Sequence, residues 1–276
     1  MNRLSNFAAA LVIYAPALGI GSAASAADLG GGGNENGGPP VNDGDWSVTG
    51  VRVGGKLSVK PKYEGSSEYE VGGLPFIFPV ISGGAGFSGL ASRVDVRGLD
   101  DVRFALLRRD GFVAGPVVGY SQGRDEDDGD LLEGLGDIDG GAVAGGFVGY
   151  RWGAFQIDAA YRQFFDDSEG YLIDFDAKVE RPISERLSFT GSVGATYADE
   201  NYMDTYFGAG AFVAEAGFKD VHVEVGLKAQ LSEQWAAQAG VRYSRLLGDA
   251  ADSPIVEDEN QWQGTVGLSY KFDFGR

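Results

Sequence analysis

Apolar and polar residues alternate one by one along most of this chain, and no other feature constrains its fold as strongly. In the stretch Gly170–Pro182, "GYLIDFDAKVERP", Ile173 and Phe175 fall on one side of the alternation, and Asp174 and Asp176 fall on the other. Successive side chains of a β-strand point to opposite faces, so a period of two is typical of a strand. We therefore predict a strand here, with Phe175 on an apolar face and Asp176 on a charged one.

The same alternation recurs from Trp46 onward and predicts about twelve strands. The glycines at positions 83, 84 and 86 blur the pattern of the second to fourth of them. The predicted strands are Val48–Val59, Leu74–Ile81, Phe87–Val96, Val102–Arg108, Phe112–Gln122, Gly140–Tyr150, Phe155–Phe164, Tyr171–Arg181, Leu187–Tyr197, Val221–Leu231, Trp235–Leu246 and Trp262–Phe272.

A soluble β-sandwich also alternates, so the period alone leaves two architectures open. Two features favour a transmembrane barrel. The polar faces carry Asp, Glu, Lys and Arg, while aromatic residues cap the ends of the apolar faces. The connections also alternate in length. The short ones are Arg109–Gly111, Arg151–Ala154, Pro182–Arg186 and Ser232–Gln234, and the long ones are Gly123–Asp139, Asp199–Asp220 and Gly248–Gln261.

These features predict an all-β fold: a transmembrane antiparallel up-and-down β-barrel of about twelve strands, with short periplasmic turns and long outer loops. We assign residues 46–276 to this barrel. Helix is expected only around Tyr202–Phe207. Near the end of the barrel, "TVGLSYKF" (Thr265–Phe272) has the polar and aromatic spacing of a barrel-insertion signal.

The first 45 residues have a different composition. An apolar run, Phe7–Ile20, precedes the small residues Ala24, Ser25 and Ala26, which predicts a signal peptide over residues 1–26 and hence export. Residues 27–45 are rich in Gly, Asn and Pro and nearly free of apolar side chains, so we expect a flexible leader there.

Composition excludes several classes of function. The chain has no cysteine, which rules out disulfides, Cys-ligated zinc and thiol catalysis. Its net charge of −18 argues against a nucleic-acid partner, whose phosphates require clustered Lys and Arg. We expect no cofactor.

Charged residues on the polar faces define the predicted lumen. They either conduct small solutes or pair with one another and plug the barrel, and the pattern leaves both open. The single histidine, His222, is expected in the lumen as a structural residue, so we expect no enzymatic activity. The charged lumen positions are Asp158, Arg162, Asp174, Asp176, Lys178, Glu224, Lys228 and Arg242.

One long connection, "GRDEDDGDLLEGLGDID", concentrates acidic residues. An EF-hand that began at Asp125 would need a ligand at its fifth position, glycine at its sixth and glutamate at its twelfth, but these positions hold Gly129, Asp130 and Gly136. We favour a solvated outer loop. A looser cation patch is the alternative, formed by Asp125, Glu126, Asp127, Asp128 and Asp130.

Four segments carry a resemblance to a known family. They are Lys62–Pro75, Gly115–Gly141, Tyr197–Gly208 and Tyr243–Trp262, and with them the chain resembles the MipA/OmpV family of MltA-interacting outer-membrane proteins. The resemblance implies a small barrel in the bacterial outer membrane. It also implies a scaffold that joins a murein-cleaving lytic transglycosylase to a murein-synthesising enzyme, while other members are surface antigens or adhesins.

The resemblance thus sets the functional expectation. We expect a non-enzymatic scaffold in contact with outer-membrane lipid and lipopolysaccharide, and with a lytic transglycosylase and a murein synthase in the periplasm. A narrow solute channel and a surface antigen or adhesin are the alternatives.

We predict that the acidic loop binds cations or polycationic solutes weakly and in a salt-sensitive way, because its crowded carboxylates repel one another and a bound cation relieves that repulsion. Calcium titration of the protein in detergent, beside a variant with Asp125, Glu126, Asp127, Asp128 and Asp130 changed to Asn or Gln, measures this. We expect the variant to assemble, since no strand residue changes. A calcium affinity that is tighter than about 1 µM and does not change with salt would show that the loop holds a defined calcium site.

Overall fold

The computed structural model describes residues 47–82 and 94–274. Within these ranges the chain forms thirteen strands and two α-helices. The helices are α1 (Glu200–Phe207) and α2 (Gly248–Asp252). The strands are β1 (Ser47–Pro61), β2 (Tyr69–Ser82), β3 (Val94–Val96), β4 (Val102–Phe104), β5 (Leu107–Arg109), β6 (Phe112–Ser121), β7 (Gly141–Trp152), β8 (Phe155–Phe165), β9 (Tyr171–Ser184), β10 (Leu187–Ala198), β11 (Gly217–Gln230), β12 (Trp235–Leu246) and β13 (Asn260–Asp273).

All described strands belong to one antiparallel sheet with the order β2-β1-β13-β12-β11-β10-β9-β8-β7-β6-β4-β3. From β6 to β13 each strand pairs with the next one along the chain, as an up-and-down barrel requires. The first described strand pairs with the last, from Gly50 opposite Asp273 to Val59 opposite Gly264. The predicted barrel architecture is therefore confirmed.

The strand predicted over Val102–Arg108 is wrong as a single element. It is two short strands, β4 and β5, that both pair with β6. The break occurs because Leu106 N donates to Phe104 O over 2.8 Å, which turns the chain out of the extended path. Gly115 of β6 lies against this turn, where a Cβ atom would collide with Phe104 O.

Some sequence predictions fall outside the described residues. These are the signal peptide over 1–26, the leader over 27–45, Trp46, and residues 87–93 of the third predicted strand. Strand β2 begins five residues before the predicted start, at Tyr69, and β11 begins four before it, at Gly217. The ends of β1, β6 to β10, β12 and β13 agree with the prediction to within three residues. The predicted helix is also found, as α1, and Asp199 caps it by accepting a hydrogen bond from Tyr202 N over 3.1 Å. The expectation of helix only there is wrong, because the connection after β12 forms the short helix α2.

The two faces of each strand differ in the way that the alternation predicts. Phe175 is 46 % exposed on the outside of β9, and its neighbour Asp176 is 9 % exposed on the inside. Large apolar side chains cover the outer wall, as in Val193, Val223 and Leu268. An apolar exterior around a polar lumen is the arrangement of a transmembrane barrel.

No helix in residues 47–82 or 94–274 has the length and apolar character needed to cross a bilayer.

Neighbouring residues on the two faces of β10 allow a matched test of which side contacts lipid. Val193 is 53 % exposed near the middle of the strand and faces lipid, whereas the neighbouring Ser192 faces the lumen between Lys178 and Glu224. We expect Val193→Arg to lower the free energy of unfolding by about 2–4 kcal/mol and Ser192→Arg by less than about 1 kcal/mol. Urea unfolding in lipid vesicles measures both. Equal losses would mean that the two residues do not face opposite sides of the wall.

Candidate functional site

A network of buried ion pairs fills one side of the lumen, and Arg103 lies at its centre. Arg103 is 1 % exposed because β4 pairs with β6 and turns this side chain inward beside the buried Val117. Its Nε and Nη2 atoms donate to the two carboxylate oxygens of Asp101 over 2.8 Å each. Its Nη1 donates over 2.5 Å to Asp158 Oδ1 on β8. Arg103 therefore ties the turn after β3 to the barrel wall.

Two further arginines extend the network. Arg162 binds Asp174 in a fork, with distances of 2.7 Å from Nε and 3.0 Å from Nη2, and it also binds Asp100. Such paired contacts fix geometry as well as adding charge-assisted hydrogen bonds. Arg97 joins Asp158, over 2.6 Å, to Asp176. Segment 97–103 is thereby held across β8 and β9.

His222 completes the network on β11. Its Nδ1 lies 3.2 Å from Asp220 Oδ1, and its Nε2 lies 3.1 Å from Asp176 Oδ1. The ring is buried, and both nitrogens are engaged by carboxylates. His222 thus occupies the lumen, as predicted.

The structure separates the predicted lumen residues into two groups. Asp158, Arg162, Asp174 and Asp176 belong to the network, so on this side the lumen charges pair and plug the barrel. The other four, Lys178, Glu224, Lys228 and Arg242, line a more accessible part of the lumen. Sequence reasoning missed Asp220 as a network member, since it assigned this residue to the connection Asp199–Asp220. It also missed Arg97, Asp100, Asp101 and Arg103. Their signal was the charged cluster "RGLDDVR" at residues 97–103 beside a glycine-rich segment.

The outer loops form an ordered cap over the barrel mouth. Tyr202, Met203 and Phe207 of α1 are buried in one apolar cluster with Ala250 of α2 and Leu246 at the end of β12. Ser253 Oγ donates to Phe207 O over 2.5 Å and fixes the segment after α2 to the end of α1. Burial of these side chains stabilises the loops as it stabilises a domain core.

The loop between β1 and β2 closes the cap from the opposite side. Tyr63 Oη donates to Ile255 O over 3.0 Å. Glu257 Oε2 accepts from both Ser67 N, over 2.8 Å, and Ser67 Oγ, over 2.6 Å. These hydrogen bonds from Ser67 lower the pKa of the Glu257 carboxyl. The two loops are therefore joined by backbone and side-chain contacts across the rim.

The acidic connection is part of this cap. Leu132 is fully buried in a cluster with Tyr63 and Ile255. Arg124 pairs with Ile138 across the base of the loop, and its Nη1 donates to Tyr206 O over 2.9 Å. The loop lies on the outside, as predicted, but it is packed onto its neighbours and is solvated only on its outer side.

Several carboxylates of the predicted cation patch bind the loop's own backbone. Glu126 Oε2 accepts from Gly134 N and Gly136 N over 3.3 and 3.2 Å. Asp128 Oδ2 accepts from Asp125 N over 3.1 Å. Burial raises the pKa of Asp125, and the neighbouring carboxylates, Asp128 first among them, raise it further.

The other two patch residues, Asp127 and Asp130, are exposed on the loop surface. Within residues 47–82 and 94–274, no group of three or more histidine or acidic side chains is arranged to hold a metal ion. Weak calcium binding by this loop stays a prediction.

An apolar exterior, a charged lumen and a loop cap over one mouth define this protein as a bacterial outer-membrane β-barrel. The chain matches the family described as MltA-interacting protein MipA over residues 53–272, and it belongs to that family. It is 28 % identical over 131 residues to YiaT of Escherichia coli strain K12, whose name refers to the outer membrane. That match covers 44 % of this chain and 52 % of YiaT, so the chain spans about half the length of the curated relatives it matches.

Solved structures of other outer-membrane barrels also match. OmpT of Vibrio cholerae is 8 % identical, with 84 % of this chain and 98 % of that chain covered and a TM-score of 0.37. The N-terminal β-barrel domain of Pseudomonas aeruginosa OprF is 15 % identical, with 59 % of this chain and 98 % of that chain covered and a TM-score of 0.29.

The network predicts a large cost for removing its central cation. Arg103→Met leaves the buried carboxylates of Asp101 and Asp158 without this partner, so we expect the free energy of unfolding to fall by about 3–5 kcal/mol. Arg109→Met is the control, because the Arg109 side chain is 84 % exposed beside Asp110. We expect a change below about 1 kcal/mol for this control. Urea unfolding in detergent micelles compares the two, and similar losses would show that the network does not stabilise the barrel.

Proposed function

We propose that this protein is a non-catalytic outer-membrane scaffold that holds a murein-cleaving lytic transglycosylase and a murein-synthesising enzyme together at the periplasmic face. The description of its family, an MltA-interacting protein, supports a partner of the first kind. A scaffold needs a rigid body in the membrane and a surface that its partners can reach.

The ion-paired lumen is the observation that carries this proposal. Buried pairs such as Arg103 with Asp158 and Arg162 with Asp174 cross-link the wall from inside. The cap adds a second layer of contacts at the outer mouth. This arrangement favours a rigid scaffold over an open channel, because charged side chains that pair with one another leave less polar surface for a permeating solute.

The surroundings of His222 support a non-catalytic role. A histidine that activates a serine or threonine needs one ring nitrogen near the hydroxyl. Here the two nitrogens face Asp220 and Asp176. The ring joins β11 to β9 and is engaged as a structural bridge.

The periplasmic turns offer the surface for partners. Arg109 and Asp110 protrude at the turn between β5 and β6, with side chains 84 % and 91 % exposed. The turn between β9 and β10 adds Glu185 and Arg186, which are also exposed. A stable interface usually buries about 800 Å² on each partner. The four short turns in the described part of the chain supply little area, so we expect weak contacts or several copies acting together.

Site-specific photo-crosslinking in cells tests this function. A photoreactive residue at Arg109 or at Glu185 is expected to capture a lytic transglycosylase and a murein synthase, identified by mass spectrometry. The same residue at Asp127, on the exposed side of the acidic loop, is the control and is expected to capture neither.

The control position also tests the second candidate function, a surface antigen or adhesin. The exposed Leu131 and Leu135 on the ordered acidic loop favour that candidate, since they present apolar side chains to the outside. If proteins are captured only by the photoreactive residue at Asp127, the antigen or adhesin function is supported. If neither Arg109 nor Glu185 captures a murein enzyme, the scaffold function is contradicted.

A further inference from the structure

The lumen has a second side that the ion-pair network does not fill. Along β9 to β12 the inward side chains of Lys178, Lys228 and Arg242 are half-buried, and Glu224 is exposed although it points inward. On the network side the corresponding charges are buried. The exposed Glu224 shows that solvent reaches this part of the lumen.

The strand registers bring its charges close together. Ser192 pairs with Lys178 on one side and with Glu224 on the other, and Glu224 pairs with Arg242. Directly opposite residues on one face of an antiparallel pair lie about 5 Å apart at their Cβ atoms. Lys178, Glu224 and Arg242 therefore form one row across the wall.

A second row lies nearer to the periplasm. Lys228 pairs with Gln238, Gln238 with Gly267, and Gly267 with Lys56 on β1. The half-buried Gln238 stands in the middle of this row. Between the rows, Gly226 pairs with Gly240, and neither fills the lumen with a side chain. The same intermediate row also carries Glu180, Thr190 and Thr265, and Thr190 Oγ1 lies over Gly226, 2.7 Å from the position of a Cβ atom there.

We call Lys56, Lys178, Lys228, Arg242, Glu180 and Glu224 the basic lumen face. On it, four cations accompany two carboxylates, among the residues that the structure describes. Glu180 lies 3.7 Å from Lys228. Positive charge thus predominates here in a chain whose net charge is −18. A recess with like charges and low-dielectric walls concentrates ions of the opposite sign.

Access to this face is expected from the periplasmic side. The outer ends of the same strands are covered by the cap, where Thr196, Leu246 and Gln261 are buried. Toward the other end, the side chains of Lys228 and Glu180 are 30 % and 55 % exposed. Exposure therefore rises from the cap to the periplasmic rim.

We propose that the basic lumen face binds a small periplasmic ligand that carries two or more carboxylate or phosphate groups. Lys178 and Arg242 in one row, with Lys228 and Lys56 in the other, suit an extended polyanion whose charges contact both rows at once. Lysine ammonium groups bind such anions as point charges, and Arg242 adds a planar fork. The site is independent of the proposed scaffold role, since it uses the lumen and not the turns.

Calorimetry on the full chain in detergent tests the ligand chemistry. Tetraglutamate and tripolyphosphate are the carboxylate and phosphate probes, and tetraglutamine is the neutral control. We expect binding of an anionic probe, weakened by salt, and none of tetraglutamine. Binding of only one anion identifies the carboxylate or the phosphate source. Binding of neither, or equal binding of tetraglutamine, overturns the proposal.

A matched pair of variants locates the binding. Lys56→Gln, Lys228→Gln and Arg242→Gln together remove three lumen cations and are expected to weaken binding by about tenfold or more. Lys62→Gln, Arg109→Gln and Arg245→Gln together remove three cations outside the lumen and are expected to change it by less than about twofold. Equal weakening in both variants would overturn the assignment to the lumen.

Thiol labelling tests the face without any ligand and without removing a charge. The chain has no cysteine, so Gln238→Cys introduces a unique thiol between Lys228 and Lys56. We expect a thiosulfonate reagent that carries an anionic sulfonate group to label this thiol about tenfold faster than one that carries a cationic trimethylammonium group. The ratio of the two labelling rates should fall at high salt. A ratio of one or below, or no labelling by either reagent, overturns the proposal.

Discussion

The hydrocarbon core of a membrane offers backbone amides and carbonyls no hydrogen-bond partner, and the rest of this structure depends on that constraint. A chain of strands meets it by pairing each strand with its neighbours around a barrel. Here the first and last described strands, β1 and β13, pair over ten residues of each. Pairing in turn imposes a period of two, because each strand must place apolar side chains against lipid and polar ones inside.

The barrel wall also places charged side chains in its interior, and these need partners or water. On β8 and β9, Asp158, Asp174 and Asp176 are buried, and a buried carboxylate is costly without a partner. Arginines from segment 97–103 and from β8 supply those partners. On β10 to β12 the inward Glu224 is exposed, and Lys228 and Arg242 are only half-buried, so charges there retain contact with water. The closed side is therefore the one that segment 97–103 fills beside β8 and β9.

The cap links these features to function. Loops on a barrel rim are free to vary because lipid does not constrain them, yet here they bury Leu132, Met203 and Phe207 among themselves. With the outer mouth covered, we expect the accessible side of the lumen to be reached from the periplasm. A scaffold at the periplasmic turns and an anion site in the lumen are compatible, since they use different surfaces on the same side of the membrane.

The sequence by itself determined the strands, their two faces, the short turns and helix α1, because each of these depends on residues close together in the chain. It placed Phe175 outside and Asp176 inside, and it located the charged lumen residues of β8 to β12. It did not reveal the break between β4 and β5, the role of Arg103, or the packing of the acidic loop.

Only the tertiary structure decided these last features, since their contacts join distant residues. Arg103 and Asp158 are 55 residues apart, and Tyr63 and Ile255 are 192 apart. A period of two tells which way a side chain points. Which partner it meets there depends on strand order and register, and these are fixed only when the whole sheet has formed.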